Sequence, residues 1–216
     1  MKIGLFGGSF NPVHTTHIDV AKEVLQRFDL DKILLIPAGN PYHKKQGNML
    51  PEQLRYELVQ ASVMGEHGLE ASDIDMNASG PTYTIDTLRE AARRYPDDEL
   101  FFILGQDSFE TFDQWKDWRR IPELANIIAV SRYKVDHGEM LSDFKRLFHG
   151  LEHNGDNVCK VVDGKLIYII TDLDFIISST LVRDVWKAGG DVSQYVPSAV
   201  AQSLLIHSDE IKKYWF

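Results

Sequence analysis

The sequence predicts an α/β protein with a doubly wound parallel sheet and a small helical C-terminal part. Short apolar runs recur along the chain, and amphipathic segments with helical spacing lie between them. Glycines and prolines separate the two kinds of segment. Strands that alternate with helices in this order form a parallel sheet covered by helices on both faces, which is the doubly wound arrangement.

The first half of the chain shows the alternation clearly. Residues 32–38 are apolar almost throughout, as a strand buried on both faces should be. Ile18, Ala21 and Val24 recur at helical spacing, and Pro51 is well placed in the first turn of a helix. The elements predicted here are a strand over 2–6, a helix over 15–28, a strand over 32–38, a helix over 51–64, a weak strand over 69–76 and a helix over 84–95.

The second half continues the pattern. Residues 100–105 and 126–131 are strongly apolar and predict strands, with short helices over 112–125 between them. Asp163 and Gly164 lie between two β-rich runs, which form either a hairpin or one strand reached by a tight turn. The last predicted elements are helices over 178–190 and 197–208.

We expect a single domain over residues 1–216, with a helical C-terminal lobe from about residue 177. The polar residues 134–157 are expected to form a mobile insertion. Hydrophobic residues make up 44% of the chain and charged residues 25%, which is typical of a soluble globular protein.

The composition also bears on the cellular compartment. No apolar run approaches the roughly 20 residues that span a bilayer, and the first residues, MKIGLFGG, lack the features of a secretory signal. The single cysteine, Cys159, excludes an intrachain disulfide and a multi-cysteine metal site. These observations predict a cytoplasmic protein without a membrane partner.

The formal net charge of −9 restricts the class of ligand. Affinity for nucleic acid comes largely from neutralising phosphates, so a chain this acidic is a poor candidate for binding it. If the ligand is nevertheless an anion, positive groups must be concentrated locally around it.

The stretch GLFGGSFNPVHTTHIDVA, residues 4–21, supplies such a concentration. Gly7 and Gly8 end the first strand, where a doubly wound sheet lets a ligand approach the backbone. The helix that follows offers N–H groups suited to phosphate. His14 and His17 are three residues apart, so both can lean to one face and donate hydrogen bonds to phosphate oxygens.

Two other interpretations of the histidines stay open at this point. An isolated H-x-x-H pair is more often a surface or capping pair than a ligand site. A metal site is the second alternative, although no nearby cysteine or H-E-x-x-H pattern supports it. The dinucleotide pattern G-x-G-x-x-G and the GK[ST] of a P-loop are both absent here.

The whole stretch resembles the G-x-F-x-P-x-H-x-G-H signature of the nucleotidyltransferase superfamily, which is related to the HIGH motif of class I aminoacyl-tRNA synthetases. The matching residues are Gly8, Phe10, Pro12, His14 and His17. Thr16 stands where the pattern has a glycine that lets the nucleotide lie against the helix start. The resemblance implies a Rossmann-like nucleotidyltransferase fold.

Five further segments extend the resemblance over nearly the whole chain. They are PAGNPYHKK (37–45), GPTYTIDTL (80–88), FILGQDSFETFDQW (102–115), SRY (131–133) and ISSTLVRD (177–184). In this order they are similar to the motifs of bacterial nicotinate-nucleotide adenylyltransferases. That family transfers the adenylyl group of ATP to nicotinate mononucleotide, giving nicotinate adenine dinucleotide and pyrophosphate in NAD biosynthesis.

The resemblance implies roles for individual residues. The implied catalytic residues are His14, His17 and Arg183. The implied ATP-binding residues are Gly7, Gly8, Ser9, Phe10, Thr16, Gly105, Asp107, Arg132, Ile177, Ser179, Thr180 and Arg183. The implied residues for nicotinate mononucleotide are Asn40, His43, Lys44, Thr82, Tyr83, Thr84 and Trp115. Taken without the resemblance, 177–184 is equally typical of a capped helix, 40–45 of a solvated loop and Trp115 of a buried structural residue.

The resemblance also implies Mg²⁺ as cofactor, bound through the ATP phosphates and not by protein side chains. Two alternative functions stay open. One is that the acceptor is another phosphate ester, such as nicotinamide mononucleotide or pantetheine phosphate. The other is that the chain is a nucleotide sensor without turnover. A homodimer is also left open, with Tyr214, Trp215 and Phe216 packing either internally or against another subunit.

Overall fold

The structure is a computed structural model that describes residues 1–40, 48–76, 80–131, 142, 147–148, 152–153, 158–160, 165–173 and 177–216. Contacts group the chain into two compact units. The first unit comprises Met1–Gly7 and Tyr83–Phe175, and the second comprises Gly8–Thr82 and Ile176–Phe216. The two units are groups of residues that contact one another, and they are not shown to fold independently. The single domain over residues 1–216 therefore stays a prediction.

Strands and helices alternate along the described chain, as predicted. In chain order the elements are β1 (Lys2–Gly8), α1 (Thr15–Arg27), β2 (Lys32–Pro37), α2 (Glu52–Val63), β3 (Leu69–Ala71), α3 (Thr84–Arg94), β4 (Glu99–Gly105), α4 (Gln106–Phe109), α5 (Ile121–Leu124), β5 (Asn126–Val130), β6 (Glu152–His153), β7 (Val158–Lys160), β8 (Leu166–Ile170), α6 (Ser179–Lys187), α7 (Ser198–Ile206) and α8 (Ser208–Trp215), with 3-10 turns at Phe112–Gln114 and Trp118–Arg120.

The first unit is built on parallel strands. β1 pairs with β4 in parallel, β4 with β5, and β5 with β8. All five residues of β5 are buried, which accounts for its uninterrupted apolar sequence. β7 pairs with β8 in antiparallel fashion, with Val158 opposite Tyr168, so the two β-rich runs form a hairpin. Asp163 and Gly164 themselves lie outside the described residues.

The second unit combines parallel strands β2 and β3 with helices from both ends of the chain. The helical spacing of Ile18, Ala21 and Val24 is confirmed, since α1 buries all three. Helix α2 packs against α7. Trp215, at the end of α8, is buried, and its ring meets that of Trp186 edge-to-face at 5.3 Å between centroids. Trp215 therefore packs internally, whereas Phe216 is 76% exposed.

Several predicted boundaries were wrong, among them the end of β1, which extends through Gly8 instead of stopping at residue 6. The strand expected over 69–76 ends at Ala71 because the Asp73 carbonyl accepts the Met76 N–H at 2.9 Å, closing a turn of the kind that aspartate favours. Pro51 precedes α2 as its cap instead of lying in its first turn. The helical C-terminal part continues beyond 208, where α8 carries acidic residues in its first turn and lysines in its last, as the helix dipole favours.

Most of the polar segment 134–157 lies outside the described residues, apart from short pieces that include β6. Within the described ranges, we find no helix with the length and apolar character that crossing a bilayer requires.

Candidate active site

In the turn after β1, the ring of Phe10 packs against Gly8. A Cβ on Gly8 would lie 3.0 Å from the Phe10 ring, so glycine is needed for this close approach. Phe10 itself has a φ of 43°, in the left-handed region that side chains rarely adopt, and it is almost fully buried. Its ring lies edge-on to that of His17, with 4.9 Å between centroids. The Phe10 ring therefore packs against His17 and restricts the orientation of its imidazole.

His14 and His17 meet at the start of α1. His14 caps the helix and is 2% exposed, and the two imidazole centroids are 3.7 Å apart. The backbone N–H of His14 donates to Nδ1 of His17 at 3.2 Å. Because Nδ1 is held as an acceptor, the neutral imidazole of His17 carries its proton on Nε2 and presents an N–H donor there. The predicted convergence of the two imidazoles is observed.

The first turn of α1 is tied to the C-terminal part of the second unit. Both the N–H and the hydroxyl of Thr15 donate to the Tyr195 carbonyl, at 2.9 and 3.2 Å. Thr16, at the position where the resembling pattern has glycine, is buried. Its role towards ATP stays a prediction.

The start of α6 is bound to the segment that leads into His14. Ser178 caps α6 by accepting the Leu181 N–H at 3.2 Å, as predicted for this segment. The Ser179 hydroxyl donates to the Pro12 carbonyl at 2.8 Å. Arg183 donates from Nη1 to the Asn11 carbonyl at 2.8 Å and from Nη2 to the Thr180 hydroxyl at 2.9 Å.

These bonds bring Arg183 and the histidine segment together, although Arg183 and Asn11 are 172 residues apart in sequence. Burial lowers the pKa of Arg183, and the neighbouring Asp184 carboxylate opposes that effect. The guanidinium nevertheless stays charged, because arginine titrates far above neutrality. Ile177, directly before the cap, is half-buried.

The predicted acceptor residues of the second unit lie after β2. Thr82 donates its N–H to the Asn40 carbonyl at 2.9 Å, and Asn40 is exposed. A Cβ on Gly39 would collide with the Asp75 carbonyl, so only glycine fits this close approach. His43 and Lys44 lie outside the described residues.

The remaining predicted acceptor residues belong to the first unit. Tyr83 caps α3, which begins at Thr84, and the Nζ of Lys116 lies 4.6 Å from the centre of the Tyr83 ring. Trp115 is half-buried, packs on Phe112 at 5.3 Å between ring centroids and donates its indole N–H to the Thr111 hydroxyl at 3.4 Å. Its packing role is thus visible, and its role towards a pyridine ring stays a prediction.

The last predicted ATP residues lie at the ends of β4 and β5. Gly105 precedes the short helix α4, which contains Asp107. Beside them, the Ser131 hydroxyl donates to the Gln106 amide oxygen at 2.8 Å. Arg132 lies outside the described residues.

Sequence reasoning missed Asn11 and Arg55. Arg55 is 1% exposed and donates to three backbone carbonyls, those of Ser9, Gly39 and Leu50. Burial lowers its pKa, partly opposed by the nearby Glu52 carboxylate. The signal was present in the sequence, because Arg55 lies at helical spacing from Leu58 and Val59, which are buried in α2.

Comparison with known proteins agrees with the family resemblance of the sequence. The cytidylyltransferase-like family model matches residues 5–185. A probable nicotinate-nucleotide adenylyltransferase of Maridesulfovibrio salexigens is 62% identical over 215 residues, covering 100% of both chains. A second, from Desulfatibacillum aliphaticivorans, is 34% identical over 214 residues and covers 93% of this chain and 95% of its own.

Solved structures resemble the chain over nearly its full length. The nicotinic acid mononucleotide adenylyltransferase of Plasmodium falciparum complexed with NaAD has a TM-score of 0.72 at 18% identity, covering 97% of each chain. The same enzyme complexed with APC has a TM-score of 0.69 at 17% identity, covering 97% of this chain and 96% of its own. These likenesses confirm the doubly wound α/β fold. The chain therefore belongs to the cytidylyltransferase-like family and, within it, to the nicotinate-nucleotide adenylyltransferases.

Proposed function

We propose that this protein transfers the adenylyl group of ATP to nicotinate mononucleotide, giving nicotinate adenine dinucleotide and pyrophosphate. Full-length relatives that carry this name support the proposal. The structural observation that carries it is the attachment of the start of α6 to residues 11–12. This attachment sets a guanidinium and a helix N-terminus beside the segment that leads into the histidine pair.

The reaction needs alignment and charge stabilisation more than it needs a protein nucleophile. A phosphate oxygen of nicotinate mononucleotide attacks the α-phosphorus of ATP and forms a new P–O bond. The bond between the α-phosphorus and the bridging oxygen to the β-phosphate breaks, and its electron pair leaves with pyrophosphate. The attacking phosphate is already ionised near neutral pH, so no general base is required.

The histidines and Arg183 take complementary parts in this step. His17 donates its Nε2–H to the oxygens of the α-phosphate, where negative charge develops, and His14 lies beside it. Arg183 and the N–H groups at the start of α6 hold the departing pyrophosphate, since a guanidinium and a helix N-terminus both favour phosphate.

Magnesium enters with the nucleotide. In the parts of the chain that the structure describes, no group of three His, Cys, Asp or Glu side chains is placed to hold a metal ion. The starts of α1 and α6 present N–H donors and a guanidinium, which suit phosphate and not a cation. We propose that Mg²⁺ is held by the ATP phosphates, as the family resemblance implies, where it would neutralise charge on the triphosphate.

The residues proposed for the acceptor stay those that the family resemblance implies, namely Asn40, His43, Lys44, Thr82, Tyr83, Thr84 and Trp115. A cytoplasmic setting, with Cys159 reduced, stays the prediction from the cysteine content.

A pyrophosphate-release assay tests the function directly. Purified protein is supplied with ATP, Mg²⁺ and one acceptor at a time: nicotinate mononucleotide, nicotinamide mononucleotide or pantetheine phosphate. We expect kcat/KM for the nicotinate acceptor to exceed the others by about 10-fold or more, since a site built for a carboxylate loses bonds to an amide. Preference for another acceptor would replace the substrate assignment, and no release with any acceptor would favour the sensor alternative.

A further inference from the structure

The buried guanidinium of Arg55 joins two segments to which the proposed function gives different substrates. We define the nucleotide segment as residues 9–12 and the acceptor segment as the two described stretches 39–40 and 48–50. Arg55 donates to the Ser9 carbonyl of the nucleotide segment at 3.0 Å. It also donates to both stretches of the acceptor segment, to the Gly39 carbonyl at 2.7 Å and to the Leu50 carbonyl at 3.0 Å.

Asn11 makes a second set of bonds between the same two segments. Its side-chain oxygen accepts the Leu50 N–H at 3.1 Å, and its Nδ2 donates to the Asn48 carbonyl at 2.7 Å. Its backbone carbonyl accepts from Arg183. Asn11 is therefore bonded to the acceptor segment through its side chain and to the proposed pyrophosphate-binding helix through its backbone.

The kind of side chain at position 55 argues for a role beyond stability. Removing a guanidinium from water is costly, and a well-packed apolar residue usually stabilises a buried site as well or better. An apolar residue cannot hydrogen-bond to carbonyls of both segments and so cannot fix one against the other. The planar fork of arginine does this with little freedom, whereas lysine has a single flexible donor group.

We infer that Arg55, together with Asn11, is a positioning residue that fixes the acceptor segment against the nucleotide segment, so that the attacking phosphate is in line with the α-phosphorus. This inference rests on the proposed function. Neither side chain is assigned a contact with substrate. Each acts through the backbone of the segments that it joins.

Steady-state kinetics of Arg55→Lys test the inference. The variant keeps the positive charge but cannot reproduce the three-carbonyl geometry. We expect kcat to fall by about 10–100-fold, because small misplacements of reacting groups have effects of this size. KM for ATP and for nicotinate mononucleotide should each change by less than about threefold, since each segment can still bind its own substrate. Asn11→Ala should reproduce this pattern with a smaller loss.

Leu58→Ala is the matched control. Leu58 is fully buried in the same helix, so its truncation lowers thermal stability through a cavity without removing a bond to either segment. Its kcat, measured below the melting transition, should stay within about twofold of wild type. The inference is overturned if Arg55→Lys keeps wild-type kcat, or if Leu58→Ala with an equal loss of Tm loses as much kcat.

Hydrogen–deuterium exchange gives a readout that does not depend on turnover. In Arg55→Lys, peptides covering residues 8–12 and 48–50 should both exchange faster, because the bonds that join them are lost. Leu58→Ala should leave both peptides as in wild type. Faster exchange in one peptide alone, or in neither, overturns the inference. A wild-type protein that makes no dinucleotide overturns the proposed function instead, and the exchange pattern then decides the coupling of the two segments by itself.

Discussion

Two arginines of the second unit and two cations of the first are held by opposite kinds of partner. In the second unit, Arg55 and Arg183 donate to backbone carbonyls and a threonine hydroxyl, all of which are neutral. In the first unit, Lys116 and Arg89 are bonded to the carboxylates of Asp86 and Asp117, which cancel their charge.

We expect this difference to let an acidic chain bind the triphosphate of the proposed reaction. A hydrogen bond to a carbonyl fixes the position of a guanidinium but leaves its positive charge to act on a ligand. Burial strengthens that action because it limits screening by solvent. These ion pairs of the first unit are largely exposed. The two charges of a pair offset each other towards a ligand, and an exposed pair adds little to the stability of the fold. The comparison predicts a large functional effect at Arg183 and a small one at Lys116.

The largest effect is expected for His17→Ala. The variant removes the donor that the His14 N–H holds in place, and loss of one transition-state donor typically costs about 10²–10³-fold in kcat. KM for both substrates should change much less. Steady-state pyrophosphate release, with circular dichroism to establish folding, measures both. Near wild-type turnover in a folded variant would remove His17 from the chemistry.

His207→Ala is the matched histidine control. His207 lies between α7 and α8, near the carboxylates of Glu57 and Glu210 at 3.8 Å. Its removal should leave kcat within about twofold of wild type, as for an ordinary partly exposed substitution.

Arg183 separates the effect of charge from that of geometry. Arg183→Met removes both and should lower kcat/KM by about 10²-fold, in the range for lost bonds to a transferring phosphate group. Arg183→Lys keeps the charge and loses the fork, so its loss should be smaller, about 10-fold. Equal losses would mean that the positive charge of Arg183 contributes nothing beyond the geometry of its fork. Lys187→Ala, at the end of the same helix, is the control and should leave kcat/KM unchanged.

The sequence predicted best those parts of the site that neighbouring residues determine. The glycine turn, the start of α1 with its paired histidines and the Ser178 cap all follow from spacing over a few positions. The buried spacing of α1 was predicted for the same reason.

The parts that the sequence did not predict depend on distant partners. Arg55 and Asn11 owe their roles to carbonyls and amides brought together by folding. Helical spacing could have shown that Arg55 is buried, but not which carbonyls it bonds to. Helix α8 was missed because the predicted helix stopped at residue 208, whereas Ser208 begins a new helix directly after His207, which caps α7. Its charge distribution was the signal that could have separated them.

Thr16→Gly sharpens the comparison at the start of α1. Thr16 is buried where the resembling signature has glycine. Removing the side chain should let the nucleotide lie closer to the helix and lower KM for ATP by about threefold, with a smaller change for nicotinate mononucleotide. Equal changes for both substrates would mean that Thr16 does not face the nucleotide. Lys22→Gly, at an exposed position of α1, controls for the general cost of glycine in a helix.

The smallest effect is expected for Lys116→Ala, and it should appear in stability rather than in turnover. The hydrogen bond from Lys116, followed by that from Arg89, lowers the pKa of the Asp86 carboxyl. A depressed carboxyl pKa stabilises the fold above the unfolded value of about 4, and this contribution is lost as the pH falls through the folded pKa. The variant should therefore be less stable than wild type at neutral pH, by no more than about 1 kcal/mol because the pair is exposed. The gap should close in acid and in high salt, as measured by urea denaturation.

A larger gap that persists in salt would mean that the ion pairs of the first unit are not screened, and the contrast between the two units would then fail. Lys213→Ala, at an exposed position of α8, is the control and should show no such dependence on pH.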